Sequence, residues 1–164
     1  MEQDVHARRW LPLAWKVLLF GGLVNVFFSI VVPFQVLFTD PTATYGSQDV
    51  LYVGKTWDEI VAFSPALGRW ITYMMVSMCS MMMGFGVLIV GLAAYAFRRG
   101  ERWAWGTAVV ANLFVYAYTG GLTLLYLRRG LYGFSSGFSI GLKFLTAWSI
   151  ALIVALWLPR KEFR

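Results

Sequence analysis

Apolar and polar positions along this chain segregate into blocks instead of alternating. Four apolar runs stand out, Val17–Phe38, Pro65–Phe97, Trp103–Leu127 and Phe134–Leu158, with the charged residues gathered between and beyond them. A hydrocarbon core of about 30 Å takes roughly 20 helical residues, so each run predicts one transmembrane helix. The second run is longer than a crossing needs and is expected to tilt or to project on one side. The pattern predicts an all-α integral membrane protein: a four-transmembrane-helix antiparallel bundle forming a single domain over 1–164, with both termini cytoplasmic. Its one substantial connection is the outer loop 39–64.

Local signals mark where the elements start. The segment "FTDPTATYGSQD" is rich in turn formers, with Asp40-Pro41 and Tyr45-Gly46-Ser47 breaking regular structure. Thr56 followed three residues later by Glu59 is a capping box for a short helix near 57–63. Ser64 before Pro65 is an N-cap with proline at the first helical position, opening the second run. Helical spacing puts Trp57, Ile60 and Val61 on one face of the short helix and Asp58 and Glu59 on the other. An amphipathic helix of that kind is expected on the outer membrane surface, either as a lid over the bundle end or as a substrate-recognition element.

Composition strengthens the membrane reading. Of the 164 residues 59% are hydrophobic and 13% charged, and the mean hydropathy is +0.65; a soluble domain of this length needs more polar surface. The net charge of +6 does not point to nucleic acid, because the positives sit in pairs at the ends of apolar runs, as topology determinants do. With the N-terminus inside, the inner side holds Arg8, Arg9, Lys16, Arg98, Arg99, Arg102, Arg160, Lys161 and Arg164, and the outer side Lys55, Arg69, Arg128, Arg129 and Lys143. Nine against five places both termini in the cytoplasm. Trp10, Trp15, Trp103, Trp105 and Trp157 fall at inner ends and Trp70 at an outer one, an aromatic belt. The first run exceeds the roughly 7–15 residues of a signal-peptide core and reads as a retained anchor. The expected location is a bacterial inner or plasma membrane.

Chemistry is sparse in the spans. Glu2, Asp4, Asp40, Asp49, Asp58, Glu59, Glu101 and Glu162 are all the acidic residues, and every one lies outside the four runs; proton-coupled carriers usually keep a carboxylate within the membrane. The single histidine, His6, lies outside the runs, and one cysteine, Cys79, excludes an intramolecular disulfide or a cysteine-rich zinc site. No hydrolase motif is present. The expectation is a non-enzyme without cofactor.

Three polar residues fall at similar depth. Asn25 and Asn112 sit about 12–14 Å into the first and third runs at 1.5 Å per residue, and Ser149 lies at a matching level of the fourth. They serve either as interhelical hydrogen-bond formers that fix register or as a ligand-binding layer for a lipid headgroup or quinone-like carbonyl. Lys143 with Arg128 and Arg129 forms an outer basic cluster, read as snorkelling residues or as contacts to anionic lipid or an acidic partner. Gly133, Gly137 and Gly141 form a GxxxGxxxG ladder. Ala147, Ala151 and Ala155 continue small-residue spacing on another face, and Gly84, Gly86 and Gly91 do so in the second run. Such faces point to other membrane subunits or a homo-oligomer as partners, alongside membrane lipids and without nucleic acid.

The stretch "YMMVSMCSMMMG", Tyr73 to Gly84, holds six methionines and the cysteine. Met74, Met78 and Met82 repeat every four residues, with Met75, Cys79 and Met83 one residue round. Soft sulfur ligands so spaced suit Cu(I), and Met74, Met78, Met82 and Cys79 are the candidate metal ligands. No exposed Met, His or Cys in 39–64 hands an ion inward, and methionine also fills irregular gaps against aromatics. Packing is the preferred reading.

In "SPALGRWITYMM…MGFGVLIVGLAAYAFRRGERWAWGTAVVANL", residues 64–113, a proline-led helix, a Gly-x-Gly middle and the basic "AFRRGERWAW" connection resemble small bacterial four-helix membrane proteins of the DoxX-like kind. The resemblance covers about a third of the chain and implies a small subunit or accessory of a membrane redox or transport system, without a catalytic motif to carry over. Together these readings predict a non-enzymatic accessory or structural subunit of a membrane complex. The alternatives are a binder or carrier of a small hydrophobic ligand and, after it, Cu(I) handling.

Overall fold

A computed structural model of the chain describes residues 10–45, 47–128 and 137–163, and among them every regular element is a helix. Helix α1 spans Leu11–Phe38, a 3-10 turn Pro41–Thr44, α2 Ser47–Val53 and α3 Trp57–Phe63. Helix α4 spans Pro65–Leu92 and runs on through a π-helical turn, Ala93–Phe97. Then come α5, Arg102–Arg128, α6, Gly137–Trp157, and a 3-10 turn, Leu158–Lys161. Two of these, α1 and Pro65–Phe97, are long and apolar enough to cross a membrane, with 28 and 33 residues.

The start signals act as the residues dictate. Thr56 Oγ1 accepts the Glu59 N–H at 3.3 Å while the Glu59 carboxylate accepts the Thr56 N–H at 2.7 Å, the reciprocal capping box. Ser64 Oγ accepts from Leu67 N–H at 3.3 Å, with Pro65 at the first position of α4. The connection 39–64 departs from expectation, since it contains α2 over Ser47–Val53 in addition to α3. Asp49 lies in the first turn of α2, where a carboxylate suits the helix dipole. That outweighs the turn bias of the preceding Tyr45-Gly46-Ser47. Helix α6 begins at Gly137, three residues into the expected run; 134–136 lie outside the described residues.

Helices α1 and α4 cross at a pair of glycines. A Cβ placed on Gly22 would lie 3.1 Å from the Gly86 carbonyl oxygen and 3.0 Å from the Val90 nitrogen. One placed on Gly86 would lie 3.0 Å from both the Gly22 oxygen and the Val26 nitrogen. The two backbones are in direct contact, which only glycine at both positions permits. Gly84 and Gly91, which share the small-residue spacing, face open space. Next to the crossing, Gly21 takes the edge of Trp148 of α6: a Cβ there would stand 2.9 Å from the indole.

The core lies at the end of the bundle where α4 turns into α5. Leu11, Ala14 and Leu18 of α1, Ile89 of α4, Ala104 and Ala108 of α5, and Leu152, Ala155 and Leu156 of α6 pack around Phe97, which is wholly buried. The π turn carries Ala93, Ala96 and Phe97 into this core, and Gly100, at φ +79°, then reverses the chain into α5. Residues 158–163 fold back across the same end. Phe163 packs edge-on to Phe97 at 4.9 Å and stands 6.4 Å from the Trp105 ring, and Trp105 Nε1–H donates to the Leu156 carbonyl at 2.8 Å.

The most distant contact in sequence starts α1. The Glu162 carboxylate accepts the N–H groups of Trp10, at 3.1 Å, and Leu11, at 3.0 Å. Helix α1 has no acidic residue in its own first turn and no side-chain cap at Trp10. Glu162 supplies the missing acceptor and the negative charge favoured at a helix N-terminus. This explains why α1 begins at Leu11, ahead of the apolar run that starts at Val17.

Three outcomes test this packing. Gly86→Leu is expected to destabilise the protein by about 1–3 kcal/mol or more through overpacking. Gly91→Ala, facing open space, is expected to be neutral or to stabilise by about 0.5–1 kcal/mol; thermal unfolding followed by circular dichroism reads both. Glu162→Ala is expected to cost about 1 kcal/mol, the worth of one helix cap, and to raise hydrogen exchange at the start of α1 before any other segment.

Candidate functional site

The polar residues within the long helices come first. Asn25 Nδ2 donates to the Gly21 carbonyl at 3.0 Å, and the buried Asn112 Nδ2 donates to the Ala108 carbonyl at 2.8 Å. Both amides thus bond the preceding turn of their own helix. Ser149 of α6 is brought to the Asn112 stripe of α5 through Tyr116, one turn further along α5. The Tyr116 hydroxyl faces Ser149 but is buried without a hydrogen bond of good geometry, as is Ser29 Oγ on α1. Ser29 falls one turn beyond Asn25. Sequence reasoning did not single out Ser29 or Tyr116, because their burial depends on which face each helix turns inward.

The methionine stretch divides by face. Cys79 is buried, with Met75 and Met83 partly covered beside it, on the side of α4 that continues to Gly86 and Ile89. Met74, Met78 and Met82 are 44%, 56% and 40% exposed and Met81 is 77% exposed. The thiol thus lies on the covered face of α4 and the Met74, Met78 and Met82 stripe on the neighbouring, exposed one. Arg128 is exposed at the end of α5. Gly137, Gly141 and Lys143 lie on the first two turns of α6, while Arg129 and Gly133 lie outside the described residues.

A recess lies at the far end of the bundle from the core, under α3. Ile60 is buried against α4, and Gly68 lets α3 approach closely: a Cβ there would stand 2.9 Å from Val61 Cγ2. Trp57 and Val61 face the recess while Asp58 and Glu59 face outward. The cleft has a volume of about 430 Å³ and is bounded by Leu37, Trp57, Pro65, Arg69, Thr72 and Tyr73 among others. Tyr45 braces its lid, stacking on Trp57 at 5.7 Å and donating its hydroxyl proton to the Lys55 carbonyl at 2.8 Å. Its lining is chemically simple: an apolar and aromatic wall with one guanidinium, Arg69, and the hydroxyls of Thr72 and Tyr73. That suits a small amphiphile and offers no acid–base pair.

Two carboxylates at this end are held ionised. The N–H and hydroxyl of Thr56 bind the Glu59 carboxylate and hold its pKa below the usual glutamate range. The Thr42 hydroxyl and N–H, at 2.6 and 2.8 Å, do the same for Asp40. Asn25, Asn112 and Ser149 line neither this cleft nor two grooves of the inner half. One of those, of about 200 Å³, lies between α1 and α6 beside Leu13 and Ala151. The other lies between α4 and α5.

Compared with known proteins, the chain matches no family model, no curated sequence and no solved structure. Function is therefore read from geometry.

Because the Glu59 pKa is lowered in the folded state, its contribution to α3 is present above the unfolded glutamate pKa of about 4.3 and is lost as pH falls through the lower folded value. Acidification from pH 6 to pH 3 is expected to lower the protection factors of α3, measured against the intrinsic exchange rate at each pH, while those of α4 are unchanged. Thr56→Ala is expected to raise the same exchange about fivefold at neutral pH, one cap being worth about 1 kcal/mol.

Proposed function

We propose that the chain is a four-span integral membrane protein, with α1, α4, α5 and α6 as the spans and both ends of the chain in the cytoplasm. It acts as a non-enzymatic accessory or structural subunit of a membrane complex. The observation that carries this reading is the outward apolar face of α4, where Met74, Met78, Met81 and Met82 stand exposed beside Tyr73. Flexible thioethers adapt to differently shaped neighbours, and helix association within lipid depends on van der Waals fit of this kind. The charge asymmetry, nine basic residues on the inner side against five outside, supports the orientation. The likeness of residues 64–113 to DoxX-like proteins points the same way.

A second reading is a binder of a small hydrophobic ligand carrying a polar carbonyl. The buried Tyr116 hydroxyl, facing Ser149 one turn from Asn112, favours it.

A photo-crosslinking residue in place of Met78, in native membranes, is expected to capture a defined second polypeptide or a second copy of this chain. The same residue at Leu124, on the exposed outer part of α5, serves as the comparison. Capture of lipid alone at position 78, with a single species purified under mild detergent, would count against the subunit reading. Replacing Asn112 with alanine is expected to leave the crosslink in place; under the ligand reading it removes a copurifying small molecule instead.

A further inference from the structure

Of the recesses described above, the cleft under α3 is the one whose lining carries a cation and no carboxylate. Helix α4 supplies Pro65, Gly68, Arg69, Thr72 and Tyr73, spaced i, i+3, i+4, i+7 and i+8, so one face of the helix forms the floor. Leu37 of α1 stands at one side, and Trp57 and Val61 of α3 form the cover.

The polar groups of this wall are not equivalent. The Thr72 hydroxyl already donates to the Gly68 carbonyl at 3.2 Å. Arg69 and Tyr73 are four residues apart, on the same stripe of α4, and neither has a hydrogen bond or ion pair among the described residues. The acidic side chains of this end lie off the lining. Asp40 accepts from the Thr42 N–H and hydroxyl, and Glu59 from those of Thr56, with Lys55 at 4.0 Å. Asp49 lies on α2, and Asp58 on the exposed face of α3. Among the described residues the Arg69 guanidinium is therefore the one formal charge of the lining.

Size narrows the occupant. A volume of about 430 Å³ takes about 14 non-hydrogen atoms at roughly 30 Å³ each, the share of one molecule in liquid water. That is one medium alkyl chain with its headgroup, and far less than a two-chain phospholipid. The planar guanidinium fork matches a carboxylate, the Tyr73 hydroxyl one turn on is a second donor, and Trp57, Val61 and Leu37 offer a chain apolar surface.

We infer that the cleft under α3 binds the anion of a single-chain carboxylic acid, a fatty acid of medium length. Its carboxylate sits against Arg69 and Tyr73, and its chain lies against Trp57, Val61 and Leu37. A neutral amphiphile leaves the guanidinium unanswered, and an acidic segment of a partner protein leaves the apolar wall unfilled; both are favoured less. The inference shares with the proposed function only the membrane location, and depends on neither the subunit role nor the Tyr116 reading.

The test uses the full chain in phosphatidylcholine nanodiscs and dodecanoate carrying a photoreactive diazirine at its chain end. Irradiation is expected to label peptides covering residues 57–61 and 69–73 saturably. Unlabelled dodecanoate is expected to compete about tenfold better than dodecanol, the worth of one hydrogen bond to a charged group. Arg69→Gln is expected to abolish that preference and Arg69→Lys to keep part of it, while Tyr73→Phe weakens labelling about fivefold, the worth of a neutral hydrogen bond. Both side chains are exposed, so none of these variants removes a packing contact of the core. Labelling that never saturates, equal competition by dodecanol, undiminished labelling of Arg69→Gln, or stronger competition by dodecyl phosphate would each overturn the site. So would capture of a polypeptide from native membranes by a crosslinker at position 61. A chain that does not enter the nanodisc overturns the membrane location, while an incorporated chain without saturable labelling overturns the fatty-acid site alone.

Discussion

The contact on which the rest of the bundle depends is the meeting of backbones at Gly22 and Gly86. With both positions lacking a side chain, α1 and α4 touch along their main chains, and this sets their crossing point and rotation. Cys79 and Ile89 then turn inward on α4, Leu18 and Ser29 turn inward on α1, and Gly21 is aimed at Trp148 of α6. In a molecule whose long helices keep most of their apolar surface outside, close backbone approach does the work that burial does in a soluble core.

The long helices converge at the end where α4 turns into α5, and residues 158–163 tie it off. Phe163 closes the aromatic contact with Phe97, the Trp105 indole holds α5 to the end of α6, and the Glu162 carboxylate starts α1. Further out, the described side chains of α5 beyond Tyr116 are exposed. Order is concentrated at one end, and the recesses open beside and beyond it: the α4–α5 groove along one flank, the α3-covered cleft at the far end. Both combine apolar walls with guanidinium groups, Arg99 in one and Arg69 in the other.

The methionine stretch shows how a sequence feature changes meaning once it is placed. Read along the chain, six thioethers and a thiol within twelve residues look like a soft-metal ligand set. On the helix they separate into a buried strip around Cys79 and an exposed strip from Met74 to Met82. The first packs toward α1; the second is the surface available to whatever surrounds the bundle.

Much of the fold was legible in the residues. The apolar runs located the long helices because uninterrupted apolar sequence of that length favours one continuous helix, whose backbone groups satisfy one another. Thr56 with Glu59, and Ser64 with Pro65, located helix starts because their side-chain atoms satisfy nearby N–H groups within one turn. Helix α2 was missed because the turn bias of Tyr45-Gly46-Ser47 masked a short helix with only Asp49 to favour its start. Which glycine of Gly84, Gly86 and Gly91 meets a neighbour, which methionines face out, and where Asn25 and Asn112 send their amide protons were decided by tertiary structure, as was Glu162 reaching across 152 positions to Trp10. Periodicity fixes what shares a helix face, a local property of 3.6 residues per turn. What that face meets depends on other helices, whose rotation is set by contacts far away in the chain.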